Sequence, residues 1–190
     1  MDKKCKGLYL TGNKITHQSI SILSDALYSN ITLVELDLSD NHLSDSGVQI
    51  LVDVLSSNRC RLEKLHLGSN HVTDQGVQYL SNMLNTNRSL THLMLNRNQI
   101  SNRGVHVLAN VLALQNRSLE VLSLSCNSFI TDGSIDALIV MIKHNDRLKG
   151  LDVKCCNMSE TNTQRLRASI NQKNDFKLYT DSLESSCRLS

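Results

Sequence analysis

The chain has 190 residues and a formal net charge of +2, with acidic and basic residues interspersed along its length. This balance disfavours a nucleic-acid-binding surface, which requires clustered positive charge. No apolar run approaches the ~18 residues that a membrane-spanning helix needs, and the charged N-terminus has no apolar stretch behind it, which disfavours a signal peptide. We therefore expect one cytoplasmic domain that binds neither nucleic acid nor membrane.

A short phrase of alternating leucines recurs along the chain, and each copy closes on the same polar residue. Leu33–Leu43, Leu62–Val72 and Leu90–Ile100 are three such copies. The closing residues are 28 or 29 positions apart, and they are Asn13, Asn41, Asn70, Asn98, Asn127 and, in the last copy, Cys156. A fixed period of this size indicates stacked repeats that form a solenoid.

The first half of each repeat has the pattern of a half-buried strand. In the third repeat, Leu65 and Leu67 are apolar, while Lys64 and His66 between them are polar. Because strand side chains alternate between two faces, this pattern places the leucines inward and the polar residues outward. The same alternation predicts one strand in each of six repeats.

The second half of each repeat has the pattern of an amphipathic helix. In the third repeat, Val77, Leu80 and Leu84 recur at helical spacing after Thr73-Asp74, either of which can cap a helix that begins near the following glutamine. The expected helix end is Asn87, because asparagine tolerates the left-handed conformation of a C-cap. Equivalent asparagines begin three of the four N-glycosylation sequons, and we favour the capping role over glycosylation for them.

Parallel strands on one side and helices on the other predict a curved stack. Helices are ~10 Å across and strands only ~4.8 Å apart, so the sheet lies on the concave side of a short right-handed arc. The predicted architecture is thus an α/β solenoid of about six repeats over residues 1–173. Residues 174–190 lose the period, and Phe176 and Leu178 are expected to form a last capping strand before a mobile tail.

The recurrent asparagine has a structural role in this prediction. It lies where the chain leaves the strand, and its side chain can donate and accept hydrogen bonds to backbone groups inside the turn. Removing it leaves buried groups unpaired at a cost of ~1–3 kcal/mol. The asparagines and Cys156 are therefore a structural ladder and not a catalytic group.

The outward strand positions form the candidate binding face. It has mixed charge, with acidic residues at Glu35, Asp37 and Asp40, and few aromatic residues. We predict that it binds another protein. The candidate contact residues are Tyr9, Glu35, Asp37, Lys64, His66, His92, Met94, Asn96, Asp152 and Lys154; the alternative is a solvated sheet without a partner.

Histidine pairs do not suggest a metal site. His42 and His71 share a turn position in neighbouring repeats, and His66 and His92 lie diagonally on the predicted sheet. Two histidines without a third ligand make a poor zinc site. The chain also lacks a phosphate loop, a Cys-x-x-Cys pair and a Gly-x-Ser-x-Gly motif. We predict no metal, no cofactor and no enzymatic activity.

The cysteines favour a reducing environment. Nothing in the sequence indicates secretion, so free thiols are expected at Cys5, Cys60, Cys126, Cys155, Cys156 and Cys187. Cys126 and Cys155 share a position in neighbouring repeats, where strands lie ~4.8 Å apart, within the ~4.4–6.8 Å Cα range of a disulfide. We expect this pair to be reduced in the cell and to link on oxidation; two independent thiols are the alternative.

The repeat length and the Leu-x-Leu-x-x-Asn/Cys-x-Leu phrase resemble the ribonuclease-inhibitor-like class of leucine-rich repeats, which includes NOD-like-receptor-type repeats. The Thr-Asp-x-Gly-Val sequence at Thr73–Val77 strengthens the resemblance, and Ser44–Val48 is a variant of it. Members mostly bind proteins through the concave face and adjoining loops. The resemblance implies a non-enzymatic protein-interaction module, and we expect the chain to be a monomer. Its alternatives are the ligand-sensing arm of a NOD-like receptor and a GTPase activator similar to that for Ran.

Overall fold

Strands and helices alternate along the whole described chain. The computed structural model describes residues 5–56, 61–171, 173 and 175–181. The elements in order are β1 (Gly7–Tyr9), α1 (His17–Ser29), β2 (Glu35–Asp37), α2 (Ser44–Leu55), β3 (Lys64–His66), α3 (Asp74–Leu84), β4 (His92–Met94), α4 (Asn102–Leu114), β5 (Val121–Ser123), a 3-10 turn (Asp132–Ser134), α5 (Ile135–His144), β6 (Gly150–Asp152), α6 (Glu160–Ala168) and β7 (Lys177–Tyr179). The seven strands form one sheet in chain order, and every pair is parallel. This confirms the predicted solenoid.

The sheet ends in a strand that belongs to no complete repeat. In β7, Leu178 pairs with Leu151 of β6, so the expected capping strand is present. The remainder of the predicted tail, residues 182–190, lies outside the described residues. The division of the chain at residue 173 stays a prediction.

The leucines of the repeated phrase form the continuous core. The central leucines of successive strands are in register, and all are fully buried: Leu36, Leu65, Leu93, Leu122 and Leu151. Full burial of a leucine contributes ~1.5–3 kcal/mol relative to exposure. No single repeat can bury these side chains alone, so the stack is the folding unit.

The recurrent asparagines join neighbouring repeats through the turns. The buried Oδ1 of Asn98 accepts hydrogen bonds from the amides of Asn70 (3.0 Å) and Val72 (2.9 Å) in the preceding repeat. Its Nδ2 donates to the carbonyl oxygens of Leu67 (2.9 Å) and Leu95 (3.1 Å). We call this set of side chains the inner ladder; its geometry matches the predicted structural role.

Cysteine replaces asparagine at the last position of the inner ladder. The buried thiol of Cys156 donates one hydrogen bond to the carbonyl oxygen of Leu124, with 3.4 Å between Sγ and O. Burial raises the pKa of this thiol to about 12, so it stays protonated. A cysteine therefore fills the space of the asparagine with fewer hydrogen bonds.

The prediction that the asparagines after the helices are left-handed C-caps is wrong. α3 ends at Leu84, before Asn87, and the backbone φ values of Asn30 and Asn145 are −85° and −103°. The side chains of Asn87 and Asn145 are buried, as is that of Asn116. Sequence alone favoured a backbone explanation because it could not show that these side chains point inward.

These buried asparagines form a second, outer ladder. Oδ1 of Asn116 accepts hydrogen bonds from the amides of Ser118 (3.1 Å) and Leu119 (2.9 Å), which lie two and three residues after it in the chain. Its Nδ2 donates to the carbonyl oxygen of Leu84 (2.9 Å), at the helix end of the preceding repeat. Asn145 repeats the pattern one helix further along. The outer ladder thus satisfies helix C-terminal carbonyls that would otherwise lack partners.

An acidic side chain at the start of one helix caps the start of the next. Oδ1 of Asp74 accepts hydrogen bonds from the amides of Ser101 (2.8 Å) and Gly104 (3.0 Å) at the N-terminus of α4. Thr73 caps its own helix by accepting from the amide of Gln75 (3.2 Å). Both residues therefore act as caps, but on different helices.

Glycine makes room for this contact between helices. A Cβ atom on Gly104 would lie 2.5 Å from Oδ1 of Asp74 and 2.8 Å from the side chain of Ile100. On Gly76 it would lie 2.5 Å from Oδ1 of Asp45 in the same way. The Thr-Asp-x-Gly sequence therefore combines a cap for its own helix, a cap for the next helix and space for the preceding acid.

The fifth repeat carries one extra residue in its turn. The repeat spacing predicts that Phe129 occupies the core position of Leu43, Val72 and Ile100 and that Ile130 is the extra residue. This prediction is wrong. Ile130 is fully buried, and Phe129 is 59% exposed. The β-branched side chain fills the core position, so the insertion displaces an aromatic ring to the surface.

The cysteines differ from the expected set of free thiols. Cys126 and Cys155 share the predicted repeat position, each with a left-handed backbone (φ 57° and 55°). Cys126 is a free thiol, but Cys155 is disulfide-bonded, so the two are not linked to each other. Cys60 and Cys187 lie outside the described residues.

No described helix is both long enough and apolar enough to cross a membrane.

Candidate functional site

The strand residues that point away from the core form one continuous surface, which we call the sheet face. In one column of the register, Glu35 lies beside Lys64, and Lys64 beside His92. The ten predicted binding residues occupy this column, the next column or the position two residues after the strands: Tyr9, Glu35, Asp37, Lys64, His66, His92, Met94, Asn96, Asp152 and Lys154. The structure therefore brings them onto one face, and their role in binding stays a prediction.

The N-terminal half of the sheet face carries paired charges. Glu35 lies 3.6 Å from Nζ of Lys64 and 3.2 Å from Nε2 of His66. The second contact lacks the alignment of a hydrogen bond, and these side chains are partly exposed. Such pairs contribute ~0–1 kcal/mol to stability, so they leave the charges available to a partner. The predicted acidic patch is thus partly neutralised at Glu35, whereas Asp40 has no ion pair with any residue that the structure describes.

Two ionisable groups on this half have shifted pKa values. Burial raises the pKa of Asp37, but hydrogen bonds from Ser39 and the nearby His66 outweigh it, so the pKa lies below its ordinary value. Burial and the neighbouring Lys64 lower the pKa of His92. At neutral pH the face therefore presents a charged carboxylate and a neutral imidazole.

The C-terminal half of the sheet face contains a shallow apolar depression. Its volume is about 350 Å³, and Met94, Val121 and Tyr179 line it around Gly150. Gly150 has no side chain, so the strands on either side of it provide the walls. Asp152 belongs to the rim, where its Oδ2 accepts a hydrogen bond from the hydroxyl of Ser123 (3.3 Å).

Tyr179 is the aromatic residue lining the depression that the sequence prediction omits. Its side chain is 44% exposed, and Nζ of Lys154 lies 5.4 Å from the centre of its ring. The sequence does contain a signal for this residue. If Leu178 of the expected last strand points inward, strand alternation places Lys177 and Tyr179 outward. Applying the repeat alternation to that strand identifies the aromatic residue of the depression.

The loops beside the sheet face carry a pair of histidine rings and one exposed phenylalanine. The ring centres of His42 and His71 lie 5.8 Å apart, as their shared turn position predicts. Phe129 is exposed on the same loop edge, where it pairs with Ser101 through an isolated β-bridge. In the described part of the chain, no three His, Cys, Asp or Glu residues are grouped so that they could hold a metal ion.

Comparison with known proteins identifies the repeats independently. Residues 29–52, 60–81, 86–109 and 115–138 match a family model described as Leucine Rich repeat. NACHT, LRR and PYD domains-containing protein 14 of Mus musculus is 33% identical over 174 residues, which are 89% of this chain and 17% of that protein. Ribonuclease inhibitor of Sus scrofa is 30% identical over 150 residues, 79% of this chain and 33% of the inhibitor.

A solved structure with little sequence similarity has the same fold. The structure described as Leiomodin-1 Actin-Binding Site 2 superposes with a TM-score of 0.64 at 18% identity, over 90% of this chain and 88% of that chain. The chain thus has the repeat architecture of these proteins, and it spans 17% of the NACHT, LRR and PYD protein and a third of the inhibitor.

Proposed function

The chain belongs to the leucine-rich-repeat family, and we propose that it is a non-enzymatic module that binds another protein through the sheet face and adjoining loops. The observation that carries this proposal is the apolar depression at Met94, Val121 and Tyr179, next to a half-face of charged residues. An exposed apolar site with a polar rim is the anatomy of a protein interface.

The two halves of the face have different roles in this proposal. The depression receives an apolar side chain of the partner, and Tyr179 on β7 and Met94 on β4 supply the aromatic and thioether contacts that carry binding energy at interfaces. The charges around Glu35 and Asp37 orient the approaching partner and select against like-charged surfaces. We further propose that the module is monomeric and cytoplasmic.

A second candidate function is the ligand-sensing arm of a NOD-like receptor. The similarity to a NACHT, LRR and PYD protein over 89% of this chain favours it. A phosphate-binding loop upstream in the same gene product would support this role. The GTPase activator stays a prediction from resemblance alone, and absence of stimulated single-turnover GTP hydrolysis would exclude it.

The depression predicts which substitution removes the partner. Val121→Glu places a charge in the apolar depression that Tyr179 also lines, so we expect retention of the partner from a cell lysate to fall at least about tenfold, as for an interface hot spot. Quantitative mass spectrometry of proteins retained on the immobilised chain measures this effect. Val140→Glu is the matched control, since Val140 is 49% exposed on α5, away from the sheet.

Loss of binding in Val121→Glu must be distinguished from loss of structure. Urea unfolding must give the same midpoint for Val121→Glu and Val140→Glu, so that loss of binding does not reflect loss of structure. If every protein retained by the unaltered chain is also retained by Val121→Glu, the sheet face is not the binding site and the proposal is wrong.

Charge reversal predicts a change in association rate. For the double variant Glu35→Lys with Asp37→Lys, we expect the free energy of unfolding to change by only about 1 kcal/mol, because the ion pairs involved are partly exposed. The association rate of the partner and its dependence on salt should change, since charges at an interface govern encounter. Stopped-flow or surface-plasmon-resonance measurements at two salt concentrations test this prediction.

The helices supply a matched control for charge reversal. Asp25 and Asp53 are exposed on α1 and α2, so Asp25→Lys with Asp53→Lys changes the net charge equally on the opposite side. Equal rate changes for the two double variants would mean that only net charge matters, which would contradict steering by the sheet face.

A further inference from the structure

The inner ladder is open at its N-terminal end. Oδ1 of Asn41 accepts hydrogen bonds from the amides of Asn13 (3.0 Å) and Ile15 (2.9 Å) in the preceding repeat. Asn13 itself is exposed; its Nδ2 donates to the carbonyl oxygen of Thr11 (3.2 Å), and its Oδ1 accepts no hydrogen bond from a described residue. At later ladder positions this side-chain oxygen accepts hydrogen bonds from amides of the preceding repeat. At Asn13 the same oxygen is therefore available for such bonds.

The outer ladder is open at the same end. Oδ1 of Asn30 accepts hydrogen bonds from the amides of Thr32 (2.9 Å) and Leu33 (2.8 Å), as Oδ1 of Asn116 does from the residues two and three positions further along. Nδ2 of Asn116 also reaches a helix carbonyl of the preceding repeat. Nδ2 of Asn30 has no such partner among the residues that the structure describes.

The first helix exposes a side chain that later helices cover. Ile22 is 75% exposed. Later helices have partly buried residues at the same position: Ile50, Tyr79 and Ala137. In α6 this position is Arg165, whose Nη2 lies 2.8 Å from Oδ1 of Asp136 on the preceding helix. The column therefore faces the preceding helix, and at Ile22 that neighbour is missing from the described residues.

We propose that this N-terminal end is a docking surface for a further leucine-rich repeat, with its strand parallel to β1 and its helix packed against Ile22. Among the described strands, β1 pairs only with β2, so its other edge can continue the sheet. Two turn amides of the docked repeat donate hydrogen bonds to Oδ1 of Asn13. A carbonyl oxygen at the end of its helix accepts a hydrogen bond from Nδ2 of Asn30. This surface continues the interface between repeats and is independent of the sheet face.

The start of α1 indicates which kind of repeat fits. α1 has Ser19 where α3 and α4 have the glycine that admits a preceding aspartate. The fifth repeat has Ser134 at this position, and its preceding helix begins with Asn102, whose side chain bonds the amide (2.8 Å) and hydroxyl (2.7 Å) of Thr131. A docked repeat with asparagine at its helix start, bonded as Asn102 is to Thr131, therefore fits the serine of α1.

A graft of the chain's own fourth repeat tests the proposal. Residues 90–118, which contain Asn98, Asn102 and Asn116, replace residues 1–4 after an initiating methionine, so that Asn98 of the graft precedes Asn13 by the natural spacing. We expect the urea midpoint to rise by about 0.5 M, because each added interface stabilises a repeat array. Amide exchange in β1 should slow at least about tenfold, since an edge strand becomes an internal one.

Substitutions at the docking surface separate docking from general stabilisation. Ile22→Glu and Asn13→Ala should change the ungrafted chain little and abolish the gain in the grafted chain. Leu114→Glu in the original α4, where Leu114 is 64% exposed, should leave the gain intact. A grafted repeat without exchange protection, while the rest of the chain keeps its own, overturns the proposal.

Self-association is the other outcome that would overturn it. Sedimentation equilibrium of the ungrafted chain should show a monomer. If a stable dimer forms and Ile22→Glu dissociates it, the occupant of this surface is a second copy and not a further repeat.

Discussion

Gly104→Ala is expected to destabilise the protein by about 2–3 kcal/mol, because overpacking a filled site costs this much. The added methyl group would lie 2.5 Å from Oδ1 of Asp74 and 2.8 Å from the side chain of Ile100. Asp74 must then move away from the amides it caps at the start of α4, which adds the loss of a helix cap. Urea unfolding followed by circular dichroism measures the change.

A second glycine and a double variant make this result specific. Gly150→Ala is the control, since its nearest side-chain atoms lie 3.6 Å from the added methyl group, an ordinary contact. It should change stability by no more than ~0.5 kcal/mol. Asp74→Ala should cost less in the Gly104→Ala background than alone, by about 1 kcal/mol, because the two changes remove the same contact. Strict additivity would contradict a shared contact.

Asn98→Ala is expected to destabilise the protein by about 2–3 kcal/mol, because it leaves buried amides and carbonyls without partners. The side chain bonds the amides of Asn70 and Val72 in one repeat and the carbonyl oxygens of Leu67 and Leu95 across two repeats. Its removal should therefore loosen the turns on both sides. Hydrogen exchange measures this locally, and urea unfolding gives the total.

Asn96→Ala is the matched control for the inner ladder. Asn96 lies two residues earlier, beside Gly68 on the sheet face, and its side chain makes no hydrogen bond to the described residues. We expect its replacement to change stability by no more than ~0.5 kcal/mol. Equal urea midpoints for the two variants would mean that the ladder contributes nothing beyond side-chain volume.

The candidate face could be predicted well because it depends on local alternation and a constant period. Once Leu65 and Leu93 are assigned inward, Lys64 and His92 must point outward and become neighbours. The depression could not be predicted, because its shape depends on the missing side chain at Gly150 and on a strand, β7, that lies outside the repeat pattern. Knowing which residues are neighbours on the sheet does not show how deep the surface between them is.

The sequence by itself determined the solenoid, the parallel sheet, the inner ladder and the residues of the sheet face. All of these follow from a leucine phrase that returns every 28 or 29 residues, since such a period places equivalent residues in register. The physical reason is that burial of the leucines allows only one direction for each strand residue.

Only the tertiary structure decided which side chains connect one repeat to the next. The sequence allowed Asn116 a left-handed cap and Asp74 a cap on its own helix, whereas the structure has them bond to neighbouring repeats. It also decided that Ile130 is buried and Phe129 is exposed. These outcomes depend on competition for space and hydrogen-bond partners between residues about one repeat apart, which local propensity does not contain.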